Sequence, residues 1–351
     1  MPSTDVADAS IRVNTTPLPL AAWSDIRSVT VQEDLDAMSM FSIELYNWDD
    51  QLLRYPWSDS PLFAVGNQLQ ISLGYVDDVH PVMLGEITSL EPRFAGEELP
   101  TLTVRGYDHR HLLARGRKTR AFKQMSDSAI ASQVAREAGL RANVTNTGAA
   151  LPHVLQSNQR DWDFLQQRAR LLGYEIFVRD KVLYFRPPQH TSAATITLRI
   201  GADISEFSPR LTAQSQVAEV TVRGWDVKQK KAIVGRASVG QETTTPGEGE
   251  SGPLAVRQAF GRATAASVDV PVRSVAEADT IARGQFNELA LEYVRGEVIA
   301  DGRPQVHAGT VVAIEGAGER FSGDYYVTSV THTLIGERGY QTTFAVERNI
   351  A

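Results

Sequence analysis

Two stretches far apart in this chain follow the same order of short β-forming runs. The first reads VGNQLQISLGY (65–75), then GEITSL (85–90), then TLTVRGYD (101–108). The second reads HAGTVVAIEGAG (307–318), then YYVTSV (325–330), then QTTFAVER (341–348). Each runs as a glycine, an alternating strand, a turn, a strand carrying Thr-Ser, a longer hairpin and a Thr-rich closing strand. Self-similarity of this kind is the mark of a duplicated supersecondary unit. It predicts two related antiparallel β-barrels on one chain, with an inserted module between them.

Local patterning fills in the frame. Phe41, Ile43 and Leu45 alternate with polar neighbours, as do Leu69, Ile71 and Leu73, and then Leu102 and Val104. Period-two alternation is the pattern of half-buried strands, and several with turns between them make a small barrel or sandwich. Residues 1–112 are therefore expected to form a first β-barrel domain. From 113 the period changes. Ser126 or Asp127 caps a helix with Ile130, Val134 and Ala138 on one face, and Gly139 ends it. A second helix starts at Asp161, with Phe164, Leu165, Ala169 and Leu172 as its stripe and Gly173 as its stop. A hairpin follows, 174–178 and 182–185, turning at Asp180-Lys181. Residues 113–190 thus read as a small α+β module with its own core. Residues 191–351 read as a second β-barrel domain. Within it, 240–253 (GQETTTPGEGESGP) lacks large apolar residues and is expected to be an exposed loop. Ser274 to Glu277 form a capping box for a helix over 274–293. The fold class is mainly β with an α+β insertion.

Chemical motifs are few. Gly247, Gly249 and Gly252 satisfy G-x-G-x-x-G, but no strand leads in, and Glu248 and Glu250 would repel a phosphate. His109 and His111 would share a face if they lie on a strand, and could then share a metal; a polar strand face or turn is the preferred reading. Asp49-Asp50 and Glu97-Glu98 sit in turn-like contexts. Trp48 and Trp57, with Tyr46 and Tyr55, are either barrel-end core or interface anchors. No G-x-S-x-G, H-E-x-x-H or P-loop occurs. No catalytic, cofactor-binding or metal-binding residue is assigned.

Composition narrows the function classes. Of 351 residues, 42% are hydrophobic and 22% charged, enough apolar material for a real core. With no cysteine, disulfide and cysteine-based zinc chemistry are excluded. The net charge of −7 argues against a nucleic-acid binder. The one basic cluster is Arg115, Arg117, Lys118 and Arg120. MPSTDVADAS carries no basic or apolar signal region, and no apolar run approaches a membrane span, so neither a signal peptide nor a membrane partner is expected.

Four stretches resemble the phage late control protein D family, which includes hub proteins of contractile tails and injection systems and the N-terminal part of VgrG proteins. They are EDLDAMSMFSIELYNWD (33–49), QSNQRDWDFLQQRARLLGYEIFVRDKVLYF (156–185), GRPQVHAGTVVAIEG (302–316) and FSGDYYVTSVTHTLIGERGYQTTFAVER (321–348). The resemblance implies a non-enzymatic baseplate hub. It implies a homotrimer that adapts a six-fold tube ring to a three-fold spike, surrounded by baseplate wedge components. It also implies assembly in the bacterial cytoplasm before incorporation into the particle. VgrG-like members continue into a spike, whereas this sequence stops at Ala351, so the spike is expected to be a separate protein. A tail-tip enzyme that degrades the cell envelope is the alternative, and a carbohydrate-binding β protein a third.

Overall fold

The two similar stretches fold into matching halves of one large sheet. The structure, a computed structural model, describes residues 6–148, 150–247, 249–268, 272–336 and 339–351. In the first half the strand order is Ile26–Asp34, Met40–Tyr46, Thr101–Asp108, Asp78–Arg93, Gln68–Tyr75, Ala7–Val13. In the second it is Ile204–Leu211, Val294–Asp301, Gly339–Arg348, Gly323–Ile335, Val311–Glu315, Ile196–Arg199.

The order matches strand for strand, and so does the register. Met40 faces Tyr107 and Tyr46 faces Thr101, just as Arg295 faces Glu347 and Asp301 faces Gln341. The bulges recur too. One lies between Ile26 and Ser28, its counterpart between Ile204 and Glu206. Another lies between Ile87 and Ser89, its counterpart between Val327 and Ser329. The extra residue is the threonine of the Thr-Ser pair in both halves. A glycine with positive φ, Gly66 or Gly309, donates its N–H to the carbonyl of Ile87 or Val327 beside that bulge. Such a corner favours glycine, which explains why both runs open on one. The halves differ at the last strand: Ala7–Val13 runs antiparallel to its neighbour, Ile196–Arg199 parallel.

The halves join through a seam. Residues 329–335 of the long Gly323–Ile335 strand pair antiparallel with residues 28–34 of Ile26–Asp34, giving a thirteen-stranded sheet. The mainly β architecture expected from sequence is present. The closed barrels are not seen in the strand pairing among the described residues: the outer edge of Ile26–Asp34 is spent on the other half, and Ile204–Leu211 ends the sheet with no strand on its outer side. Each half still has its own core. One is built on Phe41, Ile43, Leu69, Ile71 and Val104, the other on Val298, Val312, Tyr325, Val327 and Phe344.

The inserted α+β elements form as their local signals dictate. Helix Asp127–Glu137 is capped by Ser126, whose hydroxyl accepts the Ala129 N–H. Helix Asp161–Leu172 ends on Gly173 in the left-handed region. The hairpin Glu175–Arg179 to Val182–Arg186 turns through Asp180 and Lys181, both at positive φ, the geometry a two-residue hairpin loop requires. Phe122, Ile130, Phe164, Leu165 and Phe185 make the shared core. Helix Val275–Leu291 is capped by Ser274 as expected.

Two expectations for 191–351 need correction. This region holds a second core. Strands Lys231–Ser238, Glu219–Asp226 and Thr264–Ser267 form their own sheet, covered by helix Val275–Leu291 through Ala278, Ile281 and Phe286. The loop 240–253 is not exposed throughout. Thr245 is 2% exposed, and its N–H and hydroxyl both donate to the Asn349 side chain. Ser251 to Pro253 are also buried, and helix Gly252–Phe260 begins there. Polar side chains anchor this segment to the chain's end without needing an apolar core. Glu248 lies outside the described residues, as do residues 1–5 of the N-terminal segment and residues 337–338 of the fourth stretch.

Candidate functional site

At the seam, backbone pairing puts Val330 opposite Glu33 and His332 opposite Val31. Glu33 and His332 thereby become near neighbours on adjoining strands. The segment between Val294–Asp301 and Val311–Glu315 brings in His307, whose Nδ1 lies 2.6 Å from Glu33 Oε1. Donor atoms of Glu33, His307 and His332 all lie within 4.8 Å of one another. Among the described residues this is the one grouping of three such donors.

The surroundings orient each member. The Arg179 guanidinium, from the hairpin of the inserted module, donates to Glu33 Oε2 at 3.2 Å and to the Ala308 carbonyl at 2.7 Å. His332 is fully buried, and its Nδ1 lies 2.8 Å from the Tyr340 hydroxyl and 3.2 Å from Thr342 Oγ1. Its Nε2 has no hydrogen-bond partner of normal geometry. Burial pushes the His332 imidazole down to about 4, a shift Glu33 and the nearby Val306 carbonyl only partly oppose. Burial alone would raise the Glu33 carboxyl, but His307 above all, then Arg179 and His332, hold it at about 2. Glu33 and His307 also line a small cavity of about 220 Å³. The arrangement offers an ionised carboxylate and two imidazoles, the donor set of a transition-metal site.

A larger cleft of about 840 Å³ opens between helix Asp161–Leu172, helix Val275–Leu291 and the strands Gly323–Ile335 and Gly339–Arg348. Burial, with Glu292, Asp36 and Glu288 adding to it, pushes the Glu347 carboxyl up to about 7 against the pull of Arg295. Burial, followed by Asp36, raises Glu288. Glu175 is raised by burial too, against its hydrogen bonds from Tyr326 and Arg186.

The residues singled out from sequence are placed differently. His109 and His111 lie at the start of the short helix Arg110–Leu113, not on a strand. Both approach Glu86, His111 Nε2 at 2.9 Å and His109 Nε2 at 3.7 Å. Asp108 instead holds the buried Arg110, at 2.6 Å. Lys118 and Arg120 pair with Asp161, at 2.6 and 2.9 Å, so half of the basic cluster is consumed inside the module. Gly247 and Gly249 pack against Ile350 and Ala351. Trp57 is core-side, edge-on to Phe63, with its indole N–H donating to Asp25. Trp48 leans on Tyr55, which packs edge-on to Phe94, and Phe94 is 58% exposed. Nothing local in the sequence marks the Glu33–His307–His332 grouping; strand pairing brings Glu33 to His332, and the segment between Val294–Asp301 and Val311–Glu315 adds His307. No helix among the described residues is long and apolar enough to cross a membrane.

The duplicated half-sheet with an inserted module is a known architecture. A 43 kDa prophage tail protein from Shewanella oneidensis superposes with a TM-score of 0.73 at 15% identity, covering 97% of this chain and 98% of that one. A tail protein from Neisseria meningitidis gives 0.71 at 15% identity, covering 98% and 97%. An Escherichia coli component of the type VI secretion system, itself similar in structure to bacteriophage tail proteins, gives 0.62 at 14% identity, covering 97% and 76%. The fold is therefore that of phage tail and type VI secretion proteins, as the sequence resemblance implied. The chain matches the Alg8 N-terminal domain family over residues 3–336 and belongs to it. No curated protein matches it.

Proposed function

We propose that the chain is a structural hub of a contractile tail-like particle. Three copies form a ring that presents six similar β units to the tube and three-fold features to a separate spike. The observation that carries this reading is the seam. Residues 329–335 occupy the outer edge of residues 28–34. By the matched registers, the counterpart of 329–335 is the end of Asp78–Arg93, and the counterpart of 28–34 is Ile204–Leu211 with Thr212. Among the described residues, the far end of Asp78–Arg93 pairs on one side only, and Ile204–Leu211 is the terminal strand of the sheet. One chain thus has one filled seam and one complementary pair of open edges.

An open strand edge recruits another strand. A copy supplying the missing edge would repeat the internal seam between chains. Such a head-to-tail contact forms a closed ring when its rotation permits. Three chains would then hold six seams, half within chains and half between them. Carried over from the filled seam, the register sets Ser89 opposite Thr212, Leu90 opposite Leu211 and Glu91 opposite Arg210. That places two apolar residues together and a carboxylate against a guanidinium.

Light scattering on the purified chain tests the ring, with the mass of three chains expected and a monomer at all concentrations contrary. The envelope-degrading enzyme retains one supporting observation, the raised Glu347 and Glu288 carboxyls in the large cleft. The hub reading expects peptidoglycan to stay intact with pure protein. Turnover that Glu347→Gln abolishes would favour the enzyme.

A further inference from the structure

We propose that Glu33, His307 and His332 bind one divalent first-row transition cation, Zn²⁺ foremost, which clamps the seam between the two halves. The donors come from both halves and are far apart in sequence, so a bound ion cross-links the two halves beside the strand pair that joins them. Two imidazoles and a carboxylate suit Zn²⁺, whose ligand atoms sit about 2.0–2.2 Å from the metal and hence roughly 3.4 Å apart. The donor atoms lie within 4.8 Å of one another, and the Glu33 Oε1–His307 Nδ1 pair, now at 2.6 Å, would open toward that value around an ion.

The supporting shell is already built. A metal-bound histidine donates its other ring N–H to a fixed acceptor. Tyr340 and Thr342 stand at His332 Nδ1 for that purpose, leaving Nε2, near the Val306 carbonyl but without a hydrogen bond of normal geometry, as the ligand atom. Arg179 holds Glu33 by Oε2, which leaves Oε1 beside His307 for the ion. The cavity of about 220 Å³, lined by Glu33, His307 and Asp108 among others, provides entry and room for water as the remaining ligand. The site belongs to the filled seam alone. In the matched registers, Leu211 and Pro92 occupy the places of Glu33 and His332, and neither can ligate.

The test uses the full chain, stripped with EDTA and offered Co²⁺ or Zn²⁺. The chain has no cysteine, so thiolate bands cannot confuse the Co²⁺ spectrum. One metal per chain, tetrahedral-type visible absorption with Co²⁺ and a Tm raised by Zn²⁺ are expected. His307→Gln, at the most exposed of the three positions, should weaken binding about tenfold or more, while His111→Gln leaves it unchanged. Zinc-edge X-ray absorption on the wild-type chain needs no variant and should show two imidazoles. No uptake by wild type, uptake abolished by His111→Gln but spared by His307→Gln, or a zinc shell of oxygens alone would each overturn the proposal.

Discussion

Glu347 illustrates how burial sets a residue's contribution. Burial pushes its carboxyl up to about 7 in the folded chain, from an ordinary value of 4.5. The folded state therefore holds this proton more tightly than the unfolded state, so Glu347 lowers stability as pH rises from about 4.5 through 7. Glu347→Gln should remove that loss. In denaturant titrations the variant's advantage over wild type should be larger at pH 8 than at pH 6; an equal offset at both would mean the carboxyl is not perturbed. Leu165 is a plainer case. It is fully buried in the module core, so Leu165→Ala should cost about 2 to 4 kcal/mol. A loss well under that range would mean the site collapses around the deletion. Leu165 was legible from its helix periodicity, as were the caps Ser126 and Ser274, because those signals are local. Glu33, His307 and His332 were not. Each looks like an ordinary polar residue until two strands far apart in sequence pair.

At the scale of elements, two helices meet through bare backbone. A Cβ on Gly284 would lie 2.7 Å from Gly173 N and 2.8 Å from its Cα. Gly284→Ala must push helix Val275–Leu291 away from helix Asp161–Leu172, costing about 1 to 3 kcal/mol by thermal or denaturant unfolding. An unchanged midpoint would show that the contact yields freely. Its sequence context marks Gly173 as a helix stop, which it is; its second task, admitting the other helix, has no local signature. The sheet Glu219–Asp226, Lys231–Ser238 and Thr264–Ser267 was hidden similarly, since its alternation looks like that of any other strand. Between chains, the edge pairing makes a charge prediction. Glu91→Arg should weaken self-association by facing Arg210, and adding Arg210→Glu should restore it. Glu91 also binds Arg105 within the chain, at 3.0 Å, so the rescue by the second change is the informative result. A double variant no better than the single would count against the pairing.

The large sheet of the molecule is two copies of one six-strand plan, joined at one seam and open at its complement, with the smaller sheets and helices inserted around it. Repetition at this scale was legible because glycine corners and Thr-Ser bulges recur in the sequence. The seam was not, since sequence similarity says which strands are alike and not which edges touch. The most direct test exploits the absence of cysteine. Ser89→Cys and Thr212→Cys, placed in one chain, should be opposite each other only across a chain boundary. Directly paired strand residues come within disulfide reach. Mild oxidation followed by non-reducing electrophoresis should give covalent species that end at three chains, each single variant giving no such ladder. A double variant that stays monomeric, or that ladders on without stopping at three, would contradict the ring.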